Sequence, residues 1–291
     1  MNRPTRRRFL TVCAAFAATP AAAWAESWQG RAFGAEAKIS LRGPRRETAA
    51  ALAEARGLIR QFEALFSLYD PGSDLVRLNR RGSIRPAPHF RALVEAADFA
   101  YRLTEGLFDP TVQPLWLALA KGGDTSAARA AIGWDKVHIG AGAITLGPGQ
   151  GLTFNGIAQG YATDAVAAML QARGFSQALV NIGEYRGIGG PWKLGLEDPS
   201  HGALGLRTLN EGAIATSSAL ATPLGANGHI LHKAGAPQWS TVSVEADDAW
   251  VADALSTALI LAGPDQVRRI RRAPGVRRIT LVDASGDLMT V

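Results

Sequence analysis

Residues Ala249 to Gly263 read AWVADALSTALILAG, and eleven of the fifteen are Ala, Val, Leu, Ile or Trp. Such a run is a buried helix, so the fold must place other elements around it. Yet it carries Asp253 in its middle, with Ser256 and Thr257 one turn later. A carboxylate in apolar surroundings costs several kcal/mol unless a partner compensates it. Residues i and i+4 share a helix face, so Asp253 and Thr257 offer their oxygens to one point. Two hard oxygens in a poorly hydrated place suit Mg²⁺ or Ca²⁺ better than Zn²⁺. The same pattern also suits a satisfied core carboxylate, bonded to a backbone amide or to Thr257. Both readings stand at this point.

Around this helix the pattern mixes periods. Glu36 to Leu41 alternates as a strand, whereas Arg46 to Phe66 and Phe90 to Thr104 carry apolar residues at helical spacing. Val137 to Ile139 and Ile144 to Leu146 read as a hairpin. Gln159 or Gly160 to Arg173 reads as a helix stopped by Gly174. Ala178 to Ile182 and Trp192 to Leu196 read as strands flanking a Gly-rich turn, and Leu206 to Thr216 as one more strand. Thr241 to Glu245 leads as a strand into the Asp253 helix. Gln266 to Arg272 follows as a short helix, and Arg278 to Val282 with Leu288 to Val291 as a closing hairpin. No steady βαβ rhythm emerges, so the class is α+β rather than a doubly wound sheet.

The N-terminus reads as an address. Thr5-Arg6-Arg7-Arg8-Phe9-Leu10 fits the twin-arginine export pattern, and the apolar run to Ala23 is too short for a membrane span. Ala23-Trp24-Ala25 is a small-x-small cleavage site. Residues 1–25 are therefore expected to be a twin-arginine signal peptide, with a periplasmic chain of 26–291 as a single domain. Removing its four arginines takes the basic count from 31 to 27 against 25 acids, a net of +2. That balance points to no nucleic-acid or membrane surface. The only cysteine, Cys13, lies in this segment, which excludes disulfides, thiol catalysis and Cys-bound zinc from the rest.

Three segments outside the Asp253 helix can carry chemistry. Thr153 to Asp164 (TFNGIAQGYATD) is a loop entering a helix. Its glycines admit close backbone approach, and its free helix amides suit an anion such as pyrophosphate. Ser67 to Pro71 and Gly106 to Thr111 are aromatic-plus-Asp-Pro turns, which serve either as capped turns with a core aromatic or as a stacking face beside a carboxylate. His229 and His232 stand three apart in an extended segment, so they face opposite sides and do not share a metal.

Together these segments resemble the FAD:protein FMN transferase (ApbE) family. The likeness runs from about Phe33 to Val291. It is carried in order by FSLYDPGSDLVRLN (66–79), TEGLFDPTVQPL (104–115), NGIAQGYATDAV (155–166), ALVNIGE (178–184), WKLGLEDP (192–199), AIATSS (213–218), GHI (228–230) and ADALSTA (252–258). The resemblance implies an ApbE-like (T-fold-like) α+β fold, with mixed sheets and packed helices. It implies an exported, Mg²⁺-dependent enzyme that splits FAD and places FMN on a Thr or Ser hydroxyl of an acceptor flavoprotein, releasing AMP.

By this resemblance Asp253, Thr257 and the carbonyl of Gly156 are metal ligands, joined by Ser256 in some members. Phe33, Tyr69, Leu107, Phe108, Asp109, Thr153, Gln159 and Ile230 stand at flavin-nucleotide contacts. His229 is the candidate base for the acceptor hydroxyl, with Asp253 as a second. Four segments depart from the family pattern. Thr153 replaces an Asp, Gln159 a Lys, His232-Lys233 an Asp-Pro, and Gly183-Glu184 a Gly-Gly. The lost Lys predicts weaker pyrophosphate binding unless an Arg such as Arg186 substitutes. The N-G-I-A-Q-G form with a twin-arginine signal also resembles the NosX-like subgroup, whose acceptor is a membrane-bound regulator of nitrous oxide reductase. Two other readings stay open here: a periplasmic FAD-binding or flavin-carrying protein without transfer, and an FAD pyrophosphatase.

Overall fold

The computed structural model describes residues 25–224, 228–233 and 235–291. The expected export segment, apart from Ala25, lies outside the described residues, and Cys13 with it. Strands β1 (Ala25–Ala32) and β2 (Ala35–Arg42) form a hairpin. Its turn is Phe33-Gly34, with φ of 51° and 80°, the left-handed geometry that matches strand twist in two-residue turns. Helix α1 (Arg45–Phe66) then buries Ala51, Ala55, Ile59, Phe62 and Phe66 at helical spacing. Helix α2 (Asp74–Arg81) starts at Ser73, whose hydroxyl accepts from the Val76 N–H, and stops at left-handed Gly82. Strand β3 (Ser83–Ile84), α3 (Pro88–Leu103), α4 (Gln113–Ala120) and α5 (Ser126–Ala131) follow.

The short strands β4 (His138–Ile139) and β5 (Ile144–Thr145) form the expected hairpin. Helix α6 (Ala158–Ala172) precedes β6 (Ala178–Asn181), β7 (Tyr185–Ile188), β8 (Trp192–Asp198), β9 (Gly202–Leu209) and β10 (Gly212–Ser218). Strand β11 (Thr241–Ala246), α7 (Ala249–Leu259), α8 (Pro264–Ile270), β12 (Val276–Val282) and β13 (Leu288–Thr290) complete the chain. The main sheet runs β1-β2-β6-β7-β10-β11-β12-β13, and each of its pairings is antiparallel. Two small sheets, β3-β5-β4 and the β8-β9 ribbon, sit apart from it. This is the expected α+β architecture. Among the described residues no helix is long and apolar enough to cross a membrane.

The core is divided by the sheet's helices. Side chains of α1, α3 and α6 pack with Ile39, Leu41, Ala178 and Val180 in one cluster. Those of α7 and α8 pack with Val242, Val244, Ile279 and Leu281 in a second. Helix α7 is common to both, since Ala254 and Ala258 face the first and Ala252, Leu255 and Leu259 the second. That two-sided burial is why its sequence is apolar almost all round.

The structure corrects two strand assignments. The Gly-rich segment after Asn181 is not simply a turn, because Tyr185–Ile188 forms β7. A Cβ on its Gly187 would fall 3.0 Å from the Trp192 ring and 3.2 Å from Leu209, so this glycine admits the β8-β9 ribbon. Leu206 to Thr216 is two strands, not one. The chain turns at Asn210-Glu211, and left-handed Gly212 (φ 96°) starts β10 in a different sheet.

Asp198 ties the ribbon to the main sheet. Its buried carboxylate accepts from the Ser200 and His201 N–H groups at 2.7 and 2.9 Å. It also accepts from the Ser240 and Thr241 hydroxyls, both at 2.6 Å. Burial pushes its pKa up, but these bonds outweigh burial and hold the carboxyl below its ordinary value. Asp198→Asn is expected to cost about 1–3 kcal/mol at pH 7 in urea unfolding. A depressed carboxylate contributes stability above its unfolded pKa and loses it as pH falls through the folded one. The difference between the two proteins should therefore shrink below about pH 4.

Candidate active site

A cavity of about 700 Å³ opens between the β1-β2 hairpin, α4, the entrance to α6, strands β8 and β10, the segment before β11, and α7. That size is ordinary for a cofactor-binding cleft. Asp253 and Thr257 reach it from α7, and Gly156 and Gln159 from the α6 entrance. His229 and Ile230 come from the segment before β11, and Leu107, Phe108, Asp109 and Thr153 from the two loops beside it. Segments about 150 residues apart in the chain thus meet at one place, as the motif order implied.

Asp253 is 3% exposed, and its Oδ2 accepts from the Gly160 N–H at 2.9 Å. The bond is possible because α6 and α7 touch at Gly160, where a Cβ would fall 2.3 Å from the Ala249 carbonyl oxygen. One carboxylate oxygen is therefore committed to a backbone amide, as the core-carboxylate reading required. The second leaves room for a further partner. Gly156 lies against Thr257: a Cβ there would fall 2.7 Å from Thr257 Oγ1. Only glycine lets this stretch of backbone approach the hydroxyl so closely.

The Asp253 carboxylate and the Thr257 hydroxyl are oxygen donors of the kind a hard cation takes, and the Gly156 backbone lies beside the hydroxyl. Among the described residues no group of three or more His, Cys, Asp or Glu gathers as a metal cluster. The set at Asp253 depends on neutral oxygens instead. Its electrostatics favour a cation. Burial pushes Asp253 up to about 7. Burial, and next the charge of Asp253, push the neighbouring Glu184 well up. The charge of Asp164 raises Asp253 as well, and a buried carboxyl held up in this way takes either a proton or a cation.

Glu184, which the motifs mark only as a replaced glycine, is a buried carboxyl in the cavity wall. Its carboxylate accepts from the Thr216 N–H at 3.2 Å and lines the cavity. The replacement is tolerated because left-handed backbone is needed at Gly183 (φ 96°) and not at position 184. Trp116, Gln113, Lys38 and Asn181 also line the cavity without having been singled out. Trp116 directly follows the TVQPL motif, on the largely apolar α4, and that adjacency is the signal that could have found it.

The other expected residues divide. Phe108 is buried beside the cavity, with its N–H donating to Thr104 Oγ1 at 3.0 Å. Asp109 accepts from the Thr111 N–H and hydroxyl at 2.8 and 2.6 Å, and burial raises its pKa despite these bonds. Thr153 Oγ1 accepts from the Asn155 N–H at 3.2 Å. Three residues stand outside the cavity lining. Phe33 packs on the core at the hairpin turn, with its N–H donating to Glu63 Oε1 at 2.9 Å. Tyr69 is 56% exposed. Ser256 is fully buried behind Asp253, its hydroxyl bonded to the Asp253 carbonyl at 3.0 Å and to Ser217 Oγ at 2.8 Å. Ser217 lines the cavity and lies 3.3 Å from Thr257 Oγ1.

Arg186 is not the substitute cation. Its guanidinium is held by Asp164 and, at 2.9 Å, by Asp248, and it lies outside the cavity lining. Asp164 in turn accepts from the Ala249 and Trp250 N–H groups at 2.9 Å, which anchors the start of α7. This charge network positions the helix that carries Asp253.

Known proteins resemble this chain in sequence and in fold. The chain is 25% identical over 299 residues to the FAD:protein FMN transferase of Klebsiella pneumoniae, covering 89% of this chain and 85% of that one. The ApbE protein of Thermotoga maritima superposes with a TM-score of 0.82 at 24% identity, over 91% of this chain and 96% of the other. The flavinyl transferase ApbE of Pseudomonas stutzeri superposes at 0.78 with 25% identity, over 92% and 94%. The ApbE family model itself matches residues 33–280. Motif order, fold and family match agree, and the chain belongs to the ApbE family.

Proposed function

We propose that this protein transfers FMN from FAD to a Thr or Ser hydroxyl of an acceptor protein, with Mg²⁺, releasing AMP. The observation that carries the reading is the meeting of Asp253, Thr257 and Gly156 in one wall of a cofactor-sized cavity, in a chain whose relatives are named FAD:protein FMN transferases. In the reaction, the acceptor oxygen bonds to the FMN-side phosphorus. The bond from that phosphorus to the bridging oxygen breaks, and AMP leaves with that oxygen. When bound, Mg²⁺ would offset the charge that builds on the phosphate oxygens.

The protein's own part is positioning and proton transfer. Asp253, Thr257 and the Gly156 carbonyl are the groups suited to holding the cation. The Leu107-Phe108-Asp109 turn offers an apolar face beside a carboxylate. His229 lines the same cavity, and an imidazole is an ordinary acceptor for the hydroxyl proton. The sequence TRRRFL supports a periplasmic location and twin-arginine export, and hence an acceptor on that side of the membrane. A membrane-bound regulator of nitrous oxide reductase is such an acceptor.

The test is flavinylation. The chain from Glu26, incubated with FAD, Mg²⁺ and a protein bearing an acceptor segment, should give a fluorescent band on a denaturing gel and one AMP per flavin attached. EDTA should remove both. Yellow protein that releases no AMP would make it a carrier, and AMP without a band a pyrophosphatase. His229→Ala should lower transfer by about 100-fold while FAD binding stays within error. An unchanged transfer rate would remove His229 from the role of base.

A further inference from the structure

We propose that Lys38, on β2, is the side chain that holds the diphosphate of FAD. The inference rests on the transferase reading above and adds a binding residue that the motifs do not contain. It starts from a charge imbalance. Glu36, Asp109, Glu184 and Asp253 all line the cavity, and a diphosphate brings further negative charge into it. Carboxylates and a diphosphate at this range repel one another unless cations lie between them. One divalent cation at Asp253 balances only part of this charge.

Among the described residues, the Lys and Arg side chains lining the cavity are Lys38 and Arg31. Arg31 is exposed, and its guanidinium donates to the Gly34 carbonyl of its own hairpin at 2.7 Å. Lys38 is half-buried on an inner strand. Alternation along β2 sends Ile39 and Leu41 into the core and presents Glu36, Lys38 and Ser40 to the cavity. In register, Lys38 stands opposite Asn181 of β6. Asn181 Oδ1 accepts from the Gly183 N–H at 2.9 Å, and a Cβ on Gly183 would fall 2.1 Å from Gln159 Nε2. Lys38, Asn181, Gly183 and Gln159 therefore follow one another along one wall, which ends at the start of α6. Gln159, at that start, is neutral, and Arg186 is held by two aspartates elsewhere. The cation that the helix lacks is supplied by the neighbouring strand.

Flavin fluorescence titrations of the chain from Glu26, with FAD and with riboflavin, test this. Lys38→Met is expected to weaken FAD binding at least about 10-fold and to flatten its salt dependence, with riboflavin affinity unchanged. Lys38→Arg should keep FAD affinity within about 3-fold, which separates charge from strand packing. Gln159→Lys added to Lys38→Met should restore most of the loss, because the two positions share one wall. FAD affinity within 2-fold of wild type in Lys38→Met, or an equal loss for riboflavin, would overturn the assignment and leave the transferase reading intact. A wild-type protein that binds no FAD would overturn both.

Discussion

Asp253→Ala is expected to lower FMN transfer and AMP release at least about 100-fold, with the far-ultraviolet spectrum and the unfolding transition retained. The loss follows from geometry. Asp253 is the one carboxylate of the Asp253–Thr257–Gly156 set, and a cation held by a hydroxyl and a carbonyl alone has no charge partner. The fold should survive because truncation relieves a buried carboxyl already pushed up to about 7. The pH dependence has a definite sign. Asp253 has a folded pKa above its unfolded one, so in chelator its contribution is fully present below about pH 4 and is lost as pH rises towards 7. Glu184 shifts in the same direction. Thermal unfolding in EDTA should show wild type losing stability across that interval and Asp253→Ala losing less. Added Mg²⁺ should reverse the loss in wild type only. AMP release unchanged in Asp253→Ala would refute the metal assignment.

Gly160→Ala is expected to destabilise the protein by about 2–4 kcal/mol, the range of a steric insertion that a rigid neighbour cannot absorb. A Cβ at this position would lie 2.3 Å from the Ala249 carbonyl oxygen and 2.7 Å from the Trp250 Cα. Both are backbone atoms at the start of α7, held there by Asp164. Neither helix can give without breaking the Gly160 N–H bond to Asp253. The substitution should therefore lower both the urea midpoint and Mg²⁺ affinity. Gly174→Ala is a useful contrast: it strains a left-handed residue (φ 86°) but meets nothing within 4 Å. A Gly160→Ala protein as stable as wild type would mean that α6 and α7 are not in van der Waals contact there.

Much of the fold was readable before the structure, for identifiable reasons. The helices α1, α3 and α6 have one apolar face each, so periodicity marked them to within two residues or so. Helices α4 and α5 escaped because they are short, and α2 because polar residues dominate it. Strand β7 escaped because Gly187 reads as a turn residue, although it is there for the Trp192 ring. Phe33 and Tyr69 were placed by motif alone. Their segments stand where expected, yet the side chains pack on the core or face solvent rather than lining the cavity.

The sequence by itself determined that the Ala249–Gly263 helix is buried, that Asp253 needs a partner, and that Asp253 and Thr257 share a face. Those statements depend only on local spacing and on the cost of burying charge. Which partners Asp253 meets was decided by the tertiary structure alone. The Gly160 amide and Glu184 reach it from residues distant in the chain, as the Gly156 backbone reaches Thr257, through the contact of α6 with α7 and the pairing of β6 with β7. The fate of Arg186 and the position of Lys38 were settled in the same way. A charge's role depends on which opposite charge lies within a few ångströms, and strand register and helix contact set that distance across the chain.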